Sequence, residues 1–409
     1  MRFLHIADLH LGKALHGVSL LENGDQGCWC DRFLALADRL APDAVVIAGD
    51  VYDRSSPAGD AVALLSRLLT ALAERGVPVM LVAGNHDSGQ RLSFAAPLLA
   101  RQDLHIAGTA RRALDRVTLT DEHGPVTFWL LPYLFPALAA QVLGDETIRD
   151  YDAAVRRILA AQDIDPSERN VIVAHQNVTR AGVEAPRGGS ETMVGGVGAV
   201  DYTAFDAFDY AALGHIHAAC AVGRETVRYA GSPLCYHFDE LRQPPKGPVL
   251  VTLGPKGTPV RTETFALPPL HPLREFRGAL AEVQEAVRLR PDRGEYVRVV
   301  LSDQPLTPEI AAFFRDFFAE RDSVLMELRS EYDPFTGAAG VPTETARREK
   351  SVEELFADFY AERSGAPPEP EELALLRAAG ELLRRGEGLS PADAAGALLR
   401  AALEQEADR

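Results

Sequence analysis

Five short apolar runs, each followed at once by side chains that bind metals or move protons, constrain this chain more than any other feature. Arg2–Ala7 leads into Asp8-Leu9-His10, and Ala44–Ala48 into Gly49-Asp50-Val51-Tyr52-Asp53. Pro78–Ala83 leads into Gly84-Asn85-His86-Asp87, Val171–Ala174 into His175, and Tyr210–Leu213 into Gly214-His215-Ile216-His217. Apolar runs without polar alternation read as strands covered on both faces. Amphipathic stretches at Cys30–Leu40 and Asp60–Arg75 lie between the first three, the second closed by Gly76 and Pro78. That alternation predicts an α/β sheet. Parallel strands deliver the residues beyond their C-terminal ends to one edge, where such proteins place their sites.

The residues delivered there are carboxylates, imidazoles and one amide oxygen, without a thiolate. That set suits Mn, Fe or Zn and does not suit a closed structural zinc site. Asp8, His10, Asp50, Asn85, His175, His215 and His217 are too many ligands for one first-row ion and enough for two. With one carboxylate shared, the ions would sit ~3.5–4 Å apart and could clamp both the attacking and the leaving oxygen of a phosphate. Glycines before Asp50, Asn85 and His215 allow tight turns where the backbone leaves the sheet. Each piece alone has a plainer explanation. A strand-end Asp or Asn commonly caps the next helix, and G-H-x-H is often a hydrogen-bonded loop. Five in series, each behind an apolar run, favour a metal centre. His5, His16, His105, His123, His237 and His271 lack such neighbours and are expected to be structural.

A length of 409 residues predicts two or three domains. No apolar run approaches the ~18 residues of a membrane span, and the N-terminus turns polar at Asp8 before a secretory segment could form. The four cysteines, Cys28, Cys30, Cys220 and Cys235, are too few for a disulfide framework and predict reduced thiols in a cytoplasmic protein. A net charge of −17, from 59 acids against 42 bases, argues against a chain that grips nucleic acid through a general positive field. It leaves open an enzyme that meets phosphates through bound cations.

Farther along, Val227–Val251 is β-like, with a turn at Gly231-Ser232-Pro233 and a loop at Gln243–Pro248. The pattern resets after Pro268-Pro269: Phe276–Leu289 and Pro308–Glu320 are helix-like, Tyr296–Leu301 and Ser323–Leu328 strand-like, predicting a small α+β domain. Ser351 and Glu354 form a capping box, and Val352, Leu355, Phe356, Phe359 and Tyr360 follow on one helical face. The expected organisation is a dimetal domain over 1–266, a capping domain over 267–336, a linker over 337–350 and a helical region over 351–409.

In this order, D-x-H, G-D-x-x-D, G-N-H-D, a later single His and G-H-x-H resemble the calcineurin-like metallophosphoesterases. Within that group, Gly-His-Ile-His followed by Gly231-Ser232-Pro233 and Phe238-Asp239-Glu240, with the opening Arg2-Phe3-Leu4-His5, resembles the SbcD family. Its members are nuclease subunits of the SbcC–SbcD DNA repair complex. The resemblance is dense in motifs from Met1 to about Glu240 and architectural beyond.

The resemblance implies a sandwich of mixed sheets flanked by helices, with a small α+β cap and a C-terminal helical tail. It implies two divalent cations, Mn²⁺ first. Asp8, His10 and His217 would hold one, Asn85, His175 and His215 the other, and Asp50 would bridge them. His86 would protonate the leaving 3′ oxygen or steady the transition-state charge. Asp53, where some archaeal and eukaryotic relatives carry His, would hydrogen-bond that imidazole and raise its pKa. The helices near Asp60–Arg75 and Arg91–Arg101 lie in the region that pairs two subunits in the family, which implies a homodimer. The tail helices dock on a coiled-coil ATPase there, making Val352, Leu355, Phe356, Phe359 and Tyr360 the candidate partner-binding residues.

The expected activity is therefore Mn-dependent DNA hydrolysis, exonucleolytic on duplex ends and endonucleolytic on single strands and hairpins, with an SbcC-like ATPase supplying most of the DNA grip. Two alternatives stand beside it. A phosphatase or small-molecule phosphodiesterase could use the same dimetal core, though it would need neither cap nor tail. A DNA-end tether with incidental hydrolysis would not need seven placed ligands.

Overall fold

The computed structural model describes residues 1–182, 198–290 and 292–332. The apolar runs are strands, as their composition requires. In the first sheet lie β1 (Arg2–Ile6), β2 (Ala44–Ala48), β3 (Val79–Val82) and β4 (Leu104–Ala107). A second sheet holds β5 (Asp115–Asp121), β6 (Gly124–Leu131), β7 (Arg169–His175), β8 (Tyr210–Gly214), β9 (Cys220–Val222) and β10 (Arg224–Tyr229). The chain then returns to the first sheet with β11 (Val249–Thr252) and β12 (Arg261–Thr264).

The strand orders are β12-β11-β1-β2-β3-β4 and β9-β10-β8-β7-β6-β5. β1 to β4 run parallel, as do β6, β7, β8 and β10, while the outer pairs β11–β12, β9–β10 and β5–β6 are antiparallel. Both sheets are mixed. Their facing sides share one apolar layer that includes Phe3, Val46, Met80, Phe128, Val171 and Tyr210. Phe3 packs edge-to-face on Phe128 with ring centres 5.3 Å apart.

The other face of the first sheet is covered by α1 (Asp25–Leu40) and α2 (Gly59–Glu74), which send Phe33, Leu65, Leu68 and Leu72 onto it. That of the second is covered by α3 (Pro136–Leu143) and α4 (Tyr151–Ala160), through Ala139, Val155 and Ile158. Helices outside two stacked sheets explain why the central strands lack alternation: each is buried on both faces.

A third sheet follows. β13 (Leu273–Gly278), β14 (Tyr296–Leu301) and β15 (Val324–Ser330) are parallel, and they are crossed by α5 (Leu280–Leu289) and α6 (Pro308–Ala319) around Phe276, Val299, Phe314 and Phe318. Here the structure corrects one expectation. Phe276 lies on a strand, not in a helix; the pairing of β13 with β14 overrides the helical spacing of the segment, and the helix begins only at Leu280. The linker at 337–350 and the region 351–409, with Val352, Leu355, Phe356, Phe359 and Tyr360, lie outside the described residues. Among the described residues, no helix is long and apolar enough to cross a membrane.

Candidate metal centre

The loops after β1 and β2 continue the parallel ladder beyond the strands themselves. Asp8 N donates to Gly49 O (3.0 Å), His10 N to Asp50 O (2.9 Å) and Leu11 N to Val51 O (2.9 Å). This pairing sets Asp8, His10 and Asp50 side by side. Asp8, His10, Asp50 and His215 all adopt positive φ (55°, 42°, 47° and 109°), a conformation that non-glycine residues avoid and that clusters at functional sites. The three glycines serve two different purposes. Gly49 has φ 84° and makes a turn, and it also lies against the His175 ring, which a Cβ would approach to 2.3 Å. Gly84 and Gly214 are needed for closeness: a Cβ on Gly84 would stand 2.1 Å from Asp50 Oδ1, and one on Gly214 would stand 1.8 Å from Ala48 O.

All seven expected ligands meet at this edge. His10 Nε2 lies 3.2 Å from His217 Nε2, and ligand atoms of Asp8, His10 and His217 fall within 4.8 Å of one another. On the other side, Asn85 Oδ1 is 3.0 Å from both His175 Nε2 and His215 Nδ1. Asp50 Oδ2 stands between the groups, 3.6 Å from His10 Nε2 and 3.4 Å from His175 Nε2. His86 also comes within 4.8 Å of His10 and Asp50, its ring edge-on to His10 at 4.8 Å between centres.

Electrostatics divides the two carboxylates. Burial pushes Asp8 up to about 7, against the pull of His175, His217 and the His215 N–H that it accepts. Burial also opposes ionisation of Asp50, but His175, His10 and His86 outweigh it and hold that carboxyl well below the usual range. His10 is lowered to about 4 by burial. His175 is raised to about 9 because Asp50 and Asp8 overcome its burial. Oxygen and imidazole donors without a cysteine fit borderline divalent ions. A cation there would also relieve the penalty that burial imposes on Asp8.

Asp53 is placed differently from its expected role. Its carboxylate accepts from Lys13 Nζ (2.8 Å) and lies 3.5 Å from His10 Nδ1, whereas His86 Nδ1 donates to the Asp53 backbone carbonyl (2.9 Å). The turn after β2 directs the side chain toward the β1 loop and the main chain toward His86. The carboxylate is thus a partner of His10.

Several supporting residues carried no assigned role in the sequence. Asp87, the last residue of G-N-H-D, accepts from the main-chain N–H groups of Gly84 (2.8 Å), Tyr52 (2.9 Å) and Val51 (3.1 Å), tying two site loops together. Gln26 from α1 donates to His10 O (2.8 Å) and accepts from Gly12 N (2.9 Å). The Tyr236 ring lies edge-on to both His10 and His217, at 5.5 Å in each case. Glu240 Oε1 lies 3.4 Å from His217 Nδ1. Only Asp87 and Glu240 had a local signal, as parts of G-N-H-D and Phe-Asp-Glu. His5 is structural, fully buried and bonded to Tyr210 Oη (3.0 Å) and Leu213 O (3.1 Å).

A sandwich of mixed sheets with this centre at its strand ends matches, over residues 1–219, the family model of calcineurin-like phosphoesterases. The chain belongs to that family. A second family model, described as the type 5 capsule protein repressor C-terminal domain, matches residues 269–364 and begins just before β13. The chain is 33% identical to the D subunit of nuclease SbcCD from Staphylococcus saprophyticus, over 70% of this chain and 74% of that protein. It is 31% identical to the corresponding SbcCD nuclease protein of Staphylococcus epidermidis, over 71% of this chain and 75% of that one. These similarities place it in the SbcD branch of the calcineurin-like phosphoesterases.

Proposed function

We propose that this phosphoesterase is a Mn²⁺-dependent DNA nuclease that works with an SbcC-like coiled-coil ATPase in DNA repair and end processing. It trims duplex ends and opens single strands and hairpins. The observation that carries this reading is the position of Asp50 Oδ2 between the His10 and His175 groups, at 3.6 and 3.4 Å. Asp8, His10 and His217 would hold one ion, Asn85, His175 and His215 the other, with Asp50 common to both. Two such ions supply Lewis-acid stabilisation of charge on the phosphate and lower the pKa of attacking water.

The protein's own part is positioning and proton transfer. A carbonyl can only accept, so the bond to Asp53 O fixes the hydrogen of His86 on Nδ1. With Nδ1–H so engaged, the imidazolium form would carry its second proton on Nε2, the nitrogen left to give it to the leaving 3′ oxygen or to meet the developing charge there, reverting to the neutral Nδ1–H ring. The His86 main-chain N–H donates to Asp50 Oδ1 (2.9 Å), so the acid and the shared ligand keep a fixed separation. Asp53, between Lys13 and His10, holds the His10 ring at its second nitrogen.

The net charge of −17 agrees with a subunit that leaves most nonspecific DNA grip to its partner. Exposed Val62 on α2, and exposed Phe94 and Leu98 in the 91–101 segment, support a homodimer through these regions. The apolar stripe from Val352 to Tyr360 supports ATPase docking. DNA as substrate and four free cysteines favour a cytoplasmic location. Incubating the full chain with Mn²⁺ and labelled duplex, hairpin or phosphomonoester tests the activity. Cleavage of both DNAs is expected; turnover of the monoester alone would favour a phosphatase.

A further inference from the structure

One 3-10 turn, Phe238–Arg242, connects the metal centre with the three-stranded sheet. Its consecutive residues face opposite tasks. Phe238 and Asp239 are held by Arg298 of β14: the guanidinium carbon sits 4.8 Å from the Phe238 ring centre, and Nη2 donates to Asp239 Oδ1 (3.0 Å). Arg298 is itself 3% exposed and also binds Glu275 of β13. The next residue, Glu240, is 1% exposed and reaches the other way. Its Oε1 lies 3.4 Å from His217 Nδ1, while Oε2 is paired with Lys246 Nζ (2.8 Å) and accepts from Tyr236 N (3.2 Å).

Charge neutralisation alone does not account for this arrangement. Lys246 suffices to compensate a buried carboxylate, yet the second oxygen is spent on an imidazole. A carboxylate on Nδ1–H fixes the tautomer of a histidine and aims Nε2, and such partners commonly set the affinity of the site they support. His217 Nε2 is the nitrogen that faces His10 Nε2 at 3.2 Å. A one-turn helix has little internal freedom, so a displacement of Arg298 moves Asp239 and Glu240 together.

We propose that Glu240 is a positioning residue for His217, and that Arg298 holds the turn carrying it, so that the three-stranded sheet sets the affinity of the His10–His217 half of the centre. The proposal rests on His217 being a metal ligand.

The test uses the full chain and three variants, His217→Ala, Glu240→Gln and Asp239→Ala, with Mn²⁺ binding read by calorimetric titration and folding by circular dichroism. A second readout is the histidine nitrogen spectrum of chelator-treated protein, which reports the tautomer of His217 without metal or activity. Glu240→Gln should weaken one of the two Mn²⁺ sites on the order of 10–100-fold, leave the other unchanged, and shift the His217 nitrogen signals. Asp239→Ala frees a half-exposed side chain without touching Glu240, and Arg298 keeps Glu275. It should weaken the same site by roughly 5-fold or more. Wild-type affinities and unmoved His217 signals in folded Glu240→Gln would overturn the positioning role. A wild-type Asp239→Ala beside an altered Glu240→Gln would overturn the part given to the sheet. If His217→Ala binds both ions normally, the ligand assignment itself fails.

Discussion

Replacing Gly84 with alanine should damage the centre without altering any ligand. The new Cβ would stand 2.1 Å from Asp50 Oδ1 and 2.3 Å from the Asp50 main-chain nitrogen, where real Cβ contacts essentially never fall below 3.0 Å. Relief therefore needs a displacement of about 0.9 Å between the two loops. Neither side yields easily: Gly84 N is bound to Asp87 Oδ2 at 2.8 Å, and the same carboxylate holds Val51 and Tyr52 beside Asp50. Overpacking of this kind costs about 1–3 kcal/mol of stability. The larger effect falls on the site, because Asp50 spans both ligand groups and a misplacement near 1 Å can cost on the order of 10²-fold in activity. Calorimetric Mn²⁺ titration and thermal melting of the full chain provide the assay. Gly84→Ala should melt a few degrees lower and lose affinity at both ion sites. A variant that binds two Mn²⁺ at wild-type affinity would refute the claim that Gly84 exists to let the loops approach.

His86→Ala should bind metal normally and lose turnover by about 10²–10⁴-fold, as for a removed acid–base group; metal analysis showing the loss of a full equivalent would make His86 a ligand instead. Burial lowers His5 from 6.5 to about 3, so the unfolded chain takes up a proton there below pH 6.5 while the folded chain does not. Stability is therefore lost as pH falls through 6.5, at about 1.4 kcal/mol per unit from this group. In chelator-treated protein, the loss in urea-unfolding free energy between pH 6.5 and 4.5 should be smaller in His5→Gln by roughly 2–3 kcal/mol, and equal losses would contradict the assignment. Replacing Phe356 and Phe359 together by Asp should abolish co-elution with the ATPase while leaving Mn²⁺-dependent cleavage of short single strands intact; retained co-elution would remove the tail as the docking element.

The candidate centre was largely legible because its residues follow buried strands, and buried strands announce themselves as unbroken apolar runs. The seven ligand candidates stand within a few residues of such a run, and parallel topology does the rest. The hairpin Asp115–Asp121 and Gly124–Leu131 left a fainter trace: an edge strand with exposed alternate residues, and a partner whose second residue is Pro125. Phe276 satisfied a helical spacing that only pairing with β14 could overrule. The role of Asp53 depended on which way one turn faces, a question of ångströms that a motif does not encode. Glycine was recognised before Asp50, Asn85 and His215, but at Gly84 and Gly214 the reason is close contact with the neighbouring loop or strand. Glu240 lies 23 residues from His217 and its function appears only once both are in space.

The most direct test of a dimetal centre is an anomalous difference map from crystals of the full chain grown with Mn²⁺. Two peaks are expected on either side of Asp50, ~3.5–4 Å apart, one beside His10 and His217 and the other beside Asn85, His175 and His215. A single peak, or a second one away from Asn85, would contradict the shared role of Asp50 on which the account depends.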